Sequence, residues 1–474
     1  MVSKVKYPQW FSLSLSQAKG MEHRIDASAY NADAMAALTK VKSYKLGSLP
    51  LWGENGLVKD AFVGSRFKRI YTTNESDIPF FLPSDIENVF PKASKFISDQ
   101  TKADFEALKV HREMLLISCS GTIGKSSLVG AALDGQVFSH DLLRVSFNAP
   151  YDLGYVYAFL NTDIGLALLR SNNYGAVIDH IEPEHLMNIP IPNAPIEMRQ
   201  QIHDLIKVSY DLRDQSNELI DRSQRVLYRE LDLPPISEIK PRLYDANNKL
   251  RCISLTASRL DGRLDVSYHV PEIEAIIDAL YKNSDSVFPL GNPRLSKKIV
   301  LAGVFKRTYV APSAGVPFLG GRDMMCLTPK VNKYLSKSVH KKRIEKELAV
   351  FENYILISDR GTIGKVAIVP KHWNGWAVSQ NIIKVIPSDS SIAGYLYAFL
   401  STSYAHKLLL RATYGAVVDM IDDNNVASIP IPILKDESIM QQINNDVLKA
   451  NDLRYQAYLK EQEALSLMTS ILES

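Results

Sequence analysis

Residues 118–127 read SCSGTIGKSS, and residues 358–367 read SDRGTIGKVA. Taken alone, the first stretch invites comparison with a phosphate-binding loop. Such a loop needs Gly, four residues, then Gly-Lys-Ser/Thr, so that backbone N–H groups wrap a phosphate and a hydroxyl reaches magnesium. Here Gly121 stands only three residues before Gly124, and Cys119 occupies the place of the first glycine. In the second stretch Val366 follows Lys365, and valine cannot ligand a metal. The informative fact is therefore that Gly-Thr-Ile-Gly-Lys occurs twice.

The step from Gly121 to Gly361 is 240 residues. The same step carries GYVYAFLNT at 154 onto GYLYAFLST at 394, YGAVIDHI at 174 onto YGAVVDMI at 414, and NIPIP at 188 onto SIPIP at 428. Nearer the start of each half the step shrinks by one or two: RIDAS at 24 matches RLDVS at 263, FKRIY at 67 matches FKRTY at 305, and IPFFLPSDI at 78 matches VPFLGGRDM at 316. A period of half the chain is too long for a solenoid, whose repeats run about 20–50 residues. The chain reads as two copies of one domain.

Within each copy, REMLLISCSG and ENYILISDRG are short apolar runs that end in a glycine turn, the pattern of a strand entering a tight loop. VFSHDLLRVSF and AVSQNIIKVIP follow as further strands. GYVYAFLNTDIGLALLRS and its twin from Gly394 place apolar residues at helical spacing and predict one helix each. The Ile-Pro-Ile-Pro segments cannot lie inside a helix and are extended exits.

Each exit leads into a long polar helix. In the first, Ile202, Leu205, Ser209, Leu212, Ser216, Leu219, Ser223 and Val226 alternate steps of three and four, a heptad seam with one row of serine. In the second, Ile443, Val447, Ala450, Leu453, Ala457, Ala464, Leu467 and Ile471 form a seam with one row of alanine. Each helix runs about 33 residues, or about 50 Å. The polar faces are broad for burial in a domain, so the two helices are expected to pair with each other rather than each pack on its own domain, and the domain between them allows antiparallel packing. The expected boundaries are 1–195 for the first domain, 196–233 for its helix, 234–434 for a linker and the second domain, and 435–474 for the second helix. The expected fold class is mixed α/β (α+β).

The chain has 474 residues, 46% hydrophobic and 23% charged, enough for more than one core. Cys119, Cys252 and Cys326 show no paired spacing, which argues against a disulfide framework or a zinc site and for a reducing compartment. The N-terminal stretch lacks the apolar core of a signal peptide, and no apolar run is long enough to cross a bilayer, so a cytoplasmic location is expected. The net charge of +3 permits an anionic partner without demanding one.

Catalytic constellations are missing. HIEPEH at 180–185 spaces its histidines five apart around Pro183, and the second copy reads MIDDNN there, so no metal-ligand pair repeats. DLPPIS at 232 is not the Asp/Asn-Pro-Pro-aromatic motif of adenine methyltransferases, and no GxGxxG follows a strand. EIK at 238 lacks the upstream Pro-Asp of a nuclease motif. No catalytic residue, metal or cofactor is expected.

A GTIGK strand-loop, a GYxYxFL helix, a YGA segment, an IPIP exit with Gln-Gln-Ile close behind and a long helix, all given twice, resemble the DNA-specificity (S) subunit of type I restriction–modification systems. The resemblance covers essentially the whole chain. It implies two target-recognition domains spaced by an antiparallel coiled coil, and a non-catalytic subunit. It also implies double-stranded DNA as partner, with two modification (methyltransferase) subunits that methylate adenine and restriction subunits that can join. Two domains that differ from 31 to 115 and from 270 to 355 would read different half-sites, hence an asymmetric target across a gap of about one DNA turn.

Candidate DNA contacts are the polar groups on the variable loops: Arg66, Lys68, Arg69 and Tyr71, matched in part by Lys306, Arg307 and Tyr309, with Arg322 before Asp323. Lys125 and Lys365 follow paired glycines and are candidates for phosphate. Ser139, His140 and Asp141, with Ser379, Gln380 and Asn381, are candidate base readers, or strand ends that satisfy the backbone. The YGAV residues Tyr174, Gly175, Tyr414 and Gly415 are expected to be structural. Three alternatives stay open: a scaffold that binds only proteins, a catalytic subunit of a split system, and a subunit of a related modification-only or defence system.

Overall fold

In each repeat a strand of four buried residues, Leu115–Ser118 or Ile355–Ser358, carries the centre of a sheet. The computed structural model describes residues 32–72, 77–93, 95–171, 180–234, 238, 256, 257, 260, 263–415 and 419–474. Backbone contacts divide the chain into two units, residues 1–211 with 457–474, and residues 212–456.

The first unit begins with α1 (Ala32–Lys42), β1 (Ser48–Pro50), β2 (Val58–Val63), β3 (Tyr71–Thr72), β4 (Ile78–Phe81) and β5 (Lys95–Ile97). It continues with α2 (Phe105–Leu108), β6 (Leu115–Ser118), β7 (Ser126–Leu128), β8 (Val137–Phe138), β9 (Leu142–Phe147), α3 (Pro150–Leu160), α4 (Asp163–Ser171) and β10 (Pro190–Pro192). Its sheets run β2-β9-β6-β7, β3-β5-β4-β8 and β1-β10. After α5 (Ile196–Glu230) come α6 (Pro271–Asn283), β11 (Ser286–Pro289), β12 (Ser296–Leu301), β13 (Tyr309–Val310), β14 (Gly315–Leu319), β15 (Tyr334–Ser336) and α7 (Lys337–Arg343). Then follow β16 (Ile355–Ser358), β17 (Val366–Ile368), β18 (Ala377–Val378), β19 (Ile382–Pro387), α8 (Ser390–Leu400), α9 (Ser403–Arg411), α10 (Asp423–Ala427), β20 (Pro430–Ile433) and α11 (Glu437–Glu473). The sheets β12-β19-β16-β17, β13-β15-β14-β18 and β11-β20 repeat the first unit's order strand for strand. The fold is mixed α/β, and the duplication read from the sequence is a duplication of topology.

The GTIGK loop is the turn of a hairpin. It joins β6 to β7 and β16 to β17, with Gly121, Gly124, Gly361 and Gly364 all at positive φ. In both copies the serine at the end of the first strand closes the turn. Ser118 Oγ donates to Thr122 O at 2.6 Å and accepts from Lys125 N at 3.0 Å, and Ser358 repeats both bonds with Thr362 and Lys365.

The single helix expected from GYVYAFLNTDIGLALLRS is two helices in each unit. Thr162 and Thr402 take N-cap positions, their hydroxyls accepting from Gly165 N at 3.0 Å and Ala405 N at 3.2 Å. An apolar spacing that continues through a short corner hides the break. In α3 and α8 the motif residues join three elements. Tyr155 and Tyr395 donate to the carbonyls of Pro192 and Pro432, at 2.7 and 2.6 Å. The Ile-Pro-Ile-Pro segments are thereby held as strands against β1 and β11. Gly154 and Gly394 lie against the long helices, where a Cβ would come 2.6 Å from His203 Cα and 2.2 Å from Asn444 O.

The long helices are antiparallel partners within each unit. In the first, Ile202 and Ile206 share a core with Ala464, Met468 and Ile471, and Ser209 Oγ donates to Ala457 O at 2.8 Å. In the second, Arg222 pairs with Asp446 at 2.8 Å, and Arg454 lies against Asn217. The expected seam needs a correction. Ile202, Ser209, Ser216 and Ser223 are buried, but Leu205, Leu212 and Leu219 sit half-buried on the flank. The fully buried second row is Ile206, Ile220 and Leu227. On α11, Ile443, Ala450 and Ala457 are buried, while Leu453 is half-buried beside a buried Arg454. The stripe is turned by one residue because each helix covers its own domain as well as its partner. Tyr210, for example, hydrogen-bonds Leu128 N at 3.1 Å.

Candidate nucleic-acid interface

The parallel pairing of β4 with β8, and of β14 with β18, puts a variable segment beside the strand that leads into residues 139–141 or 379–381. In the first unit Phe80 points from β4 under the loop 66–71, and the Arg69 guanidinium lies 5.5 Å from its ring centroid. Tyr71 meets the same ring edge-on at 6.3 Å, and Lys95 of β5 sits 5.1 Å over Tyr71. The second unit repeats the ladder. Arg307 stands 5.4 Å over Phe318, Tyr309 lies 5.9 Å from Phe318, and Lys333 is 6.0 Å over Tyr309. Sequence reasoning named the arginines and tyrosines but missed Phe80, Phe318, Lys95 and Lys333. All four recur at the step of 238 that joins FKRIY to FKRTY, and that recurrence was the available signal.

The arginines are brought to the expected readers. Arg69 Nη2 donates to Ser139 Oγ at 3.0 Å, meets His140 Nδ1 at 3.2 Å and lies 3.5 Å from Asp141 Oδ2. Arg307 Nη2 donates to Gln380 Oε1 at 2.6 Å. Ser139 and Ser379 directly follow β8 and β18. Both are buried, their N–H groups bonded to Phe81 O and Leu319 O at 2.9 Å, so they brace the strand ends. The Asn381 amide oxygen is likewise buried and turned inward. His140 and Gln380 remain at the edge. In the second unit Arg307, Tyr309, Asp323, Lys333 and Ser379 line a cavity of about 270 Å³.

The floor of each site is charged. Arg144 is wholly buried, donating to Leu142 O at 2.9 Å and Leu108 O at 2.7 Å, and burial draws it down to about 10. Lys384 holds the equivalent place, donating to Ala349 O at 3.0 Å, and burial draws it down to about 8. Beside them the repeats exchange acids. In the first unit burial and then Asp141 push the Cys119 thiol up to about 12. In the second, Asp359 stands where Cys119 stands, its carboxyl raised by burial, and the neighbour is the uncharged Asn381. Two carboxylates side by side would repel, so each copy keeps one.

The other candidates are dispersed. Arg66, Lys68, Lys306 and Arg322 are exposed. Arg322 precedes Asp323, whose carboxylate accepts from Gly320 N at 2.9 Å, as Asp85 accepts from Leu82 N at 2.8 Å. Lys125 forms an ion pair with Glu87, and Met325 stands at the place of that acid in the second copy. HIEPEH is a capping box in which His185 Nδ1 accepts from Glu182 N at 2.8 Å, and Asp422 with Asn425 forms the same box in the second copy. Tyr414 exchanges backbone bonds with Met420, and Gly415 takes a positive φ. Tyr174 and Gly175 lie outside the described residues. Among the described residues no His/Cys/Asp/Glu group could hold a metal, and no helix is long and apolar enough to cross a membrane.

His140 distinguishes the two sites by pH. A guanidinium only donates, so Nδ1 accepts from Arg69 and the ring proton sits on Nε2, 3.2 Å from Asp141 Oδ1. Burial lowers the His140 pKa, Asp141 opposes it, and Arg69, Arg66 and Arg144 lower it further. Between the folded value and 6.5 the unfolded chain holds more protons, so stability falls as pH falls below 6.5. H140Q copies the second repeat and removes this contribution. Thermal unfolding of the variant should lose less midpoint than the wild type between about pH 7 and about pH 5.5; equal losses would contradict the bonding.

Residues 310–463 match the family model described as Type I restriction modification DNA specificity domain. No curated protein matches the chain in sequence. Among solved structures, the chain is similar to the type I restriction-modification system S subunit from M. genitalium, with 11% identity, 88% of this chain and 92% of that chain covered, and a TM-score of 0.33. It is also similar to the HsdS subunit from Thermoanaerobacter tengcongensis, with 15% identity, 89% and 98% covered, and a TM-score of 0.27.

Proposed function

We propose, from a chain that carries a type I restriction modification DNA specificity domain in its second repeat and repeats that fold in its first, that the protein is a non-catalytic subunit reading a bipartite, asymmetric DNA target. Residues 1–195 and 234–434 are the two readers, and the helices of 196–233 and 435–474 hold them in one order. The observation that carries this reading is the arginine seated on a phenylalanine in each repeat, beside an edge residue that differs between repeats: His140 in one, Gln380 in the other.

The chemistry suits base edges. An arginine backed by an aromatic ring keeps its planar fork fixed, which favours two parallel bonds to guanine O6 and N7. An amide such as Gln380 matches adenine N6 and N7. Tyr71 with Lys95, and Tyr309 with Lys333, flank the arginines with groups that grip phosphate and set the register. In this reading methylation belongs to partner subunits, and the duplicated topology supports a methyltransferase subunit docked on each of the two repeats. Restriction subunits can join the same complex.

The test is selection from a random duplex pool, using the full chain co-expressed with a candidate methyltransferase subunit. Two different short half-sites at one fixed spacing would support the reading. A folded, active complex that enriches no sequence would overturn it and leave a protein scaffold as the better account.

A further inference from the structure

The repeat step changes from 238 to 240 at one place, between the pair Ser98 and Ser336 and the pair Leu108 and Leu348. The two segments differ more in charge than in length. Residues 99–107 carry Asp99, Asp104 and Glu106 against the single cation Lys102, all exposed. Residues 337–347 carry Lys337, Lys341, Lys342, Arg343 and Lys346 against two glutamates. In the second unit this segment opens with α7, and Lys337, Lys341 and Lys342 are exposed, none paired with a carboxylate among the described residues.

This helix is fastened to the loop that carries Arg307. His340 Nε2 accepts from Thr308 N at 3.1 Å, the His340 ring meets Phe305 at 5.3 Å, and Arg343 stacks on Phe305 at 4.9 Å. Arg343 also donates to Gly303 O at 3.0 Å, and Ser336 N donates to Thr308 O at 2.9 Å. The lysines of α7 are therefore held beside the reader, not on a separate tether. Three ammonium groups on one helix of seven residues, with no carboxylate paired to them, raise the local positive potential, which a polyanion neutralises.

We propose that Lys337, Lys341 and Lys342 form a phosphate-gripping shelf present only in the second repeat, so that the second half-site carries the larger share of the salt-dependent affinity. This rests on the DNA-reading function proposed above. The shelf supplies affinity without sequence preference, because phosphates are the same at every step. The first repeat offers acids at the equivalent place, so its reader must rely on base contacts and on Lys68 and Lys95.

The experiment compares the full chain with K337A/K341A/K342A on a ~30-base-pair random-sequence duplex across a salt series. K207A/K435A/K449A, which removes the same charge from the linker and helices, is the control. The shelf predicts that the slope of log Kd against log salt falls by about three units in the α7 variant and little in the control. An unchanged slope, with wild-type binding intact, overturns the shelf and leaves the DNA-reading function standing. An equal fall in both variants also overturns it, since only net charge would then matter. A loss confined to a selected target sequence overturns the phosphate role in favour of base reading. If the wild-type chain binds no duplex at any salt, alone or with its methyltransferase partner, the shelf and the DNA-reading function fall together.

Discussion

Gly394→Ala is expected to destabilise the second unit by about 3–5 kcal/mol, a large fraction of the roughly 5–15 kcal/mol that holds a folded domain together. The added Cβ would lie 2.2 Å from the Asn444 carbonyl oxygen and 3.0 Å from its carbon, both backbone atoms of a 37-residue helix. No rotamer change relieves such a contact; α8 must move off α11. Moving it breaks the bonds from Gly394 N and Tyr395 N to Asn444 Oδ1, at 2.8 and 3.3 Å, each worth about 1 kcal/mol. Gly361→Ala is the comparison. Gly361 sits at φ 77° with nothing within 4 Å, so alanine there costs only the backbone strain, about 1–2 kcal/mol. Thermal unfolding of the two variants should separate them clearly. Similar midpoints would mean that the close approach of α8 to the long helix is not required.

That glycine shows what the sequence disclosed and what it concealed. The duplication, the strands around GTIGK, the extended Ile-Pro-Ile-Pro and both long helices were legible, because each rests on a local pattern or on recurrence at a fixed step. The reason GYxYAFL and Ile-Pro-Ile-Pro travel together was not legible. It lies in Tyr155 and Tyr395 reaching proline carbonyls 37 residues away, a contact that no periodicity encodes. The corner at Thr162 was missed because both flanking helices are apolar on faces that run on through the turn. The seam was placed one residue off because a pattern that assumes one partner misreads a helix with two. At the candidate interface, Arg69 and Arg307 stood out as charges in variable loops. Ser139 and Ser379 looked equally eligible, and only burial separates them from His140 and Gln380.

Arg307→Ala is expected to weaken binding to the selected target by about 1–3 kcal/mol, roughly 5- to 150-fold, and to flatten base preference in the second half-site alone. The guanidinium is held from one side by Phe318 and at one nitrogen by Gln380, which leaves its remaining N–H groups for a base edge. Alanine removes the donor fork and leaves the Gln380 oxygen without this partner, so Gln380 also loses its orientation. Arg307→Lys distinguishes a base reader from a phosphate anchor. Lysine keeps the charge but loses the planar fork, so affinity for random duplex should stay near wild type while the base preference is lost. Arg69→Ala should reproduce the effect in the first half-site only, because its partners are Ser139, His140 and Asp141 and none belongs to the second repeat. Selection from a random pool with each variant complex reads out both half-sites at once. If R307K retains full discrimination, or if R307A weakens every sequence equally, Arg307 contacts the backbone and the readers lie elsewhere on the variable loops. If instead each arginine variant erases preference in its own half-site and spares the other, the target is asymmetric because the two repeats hold the same arginine against different neighbours.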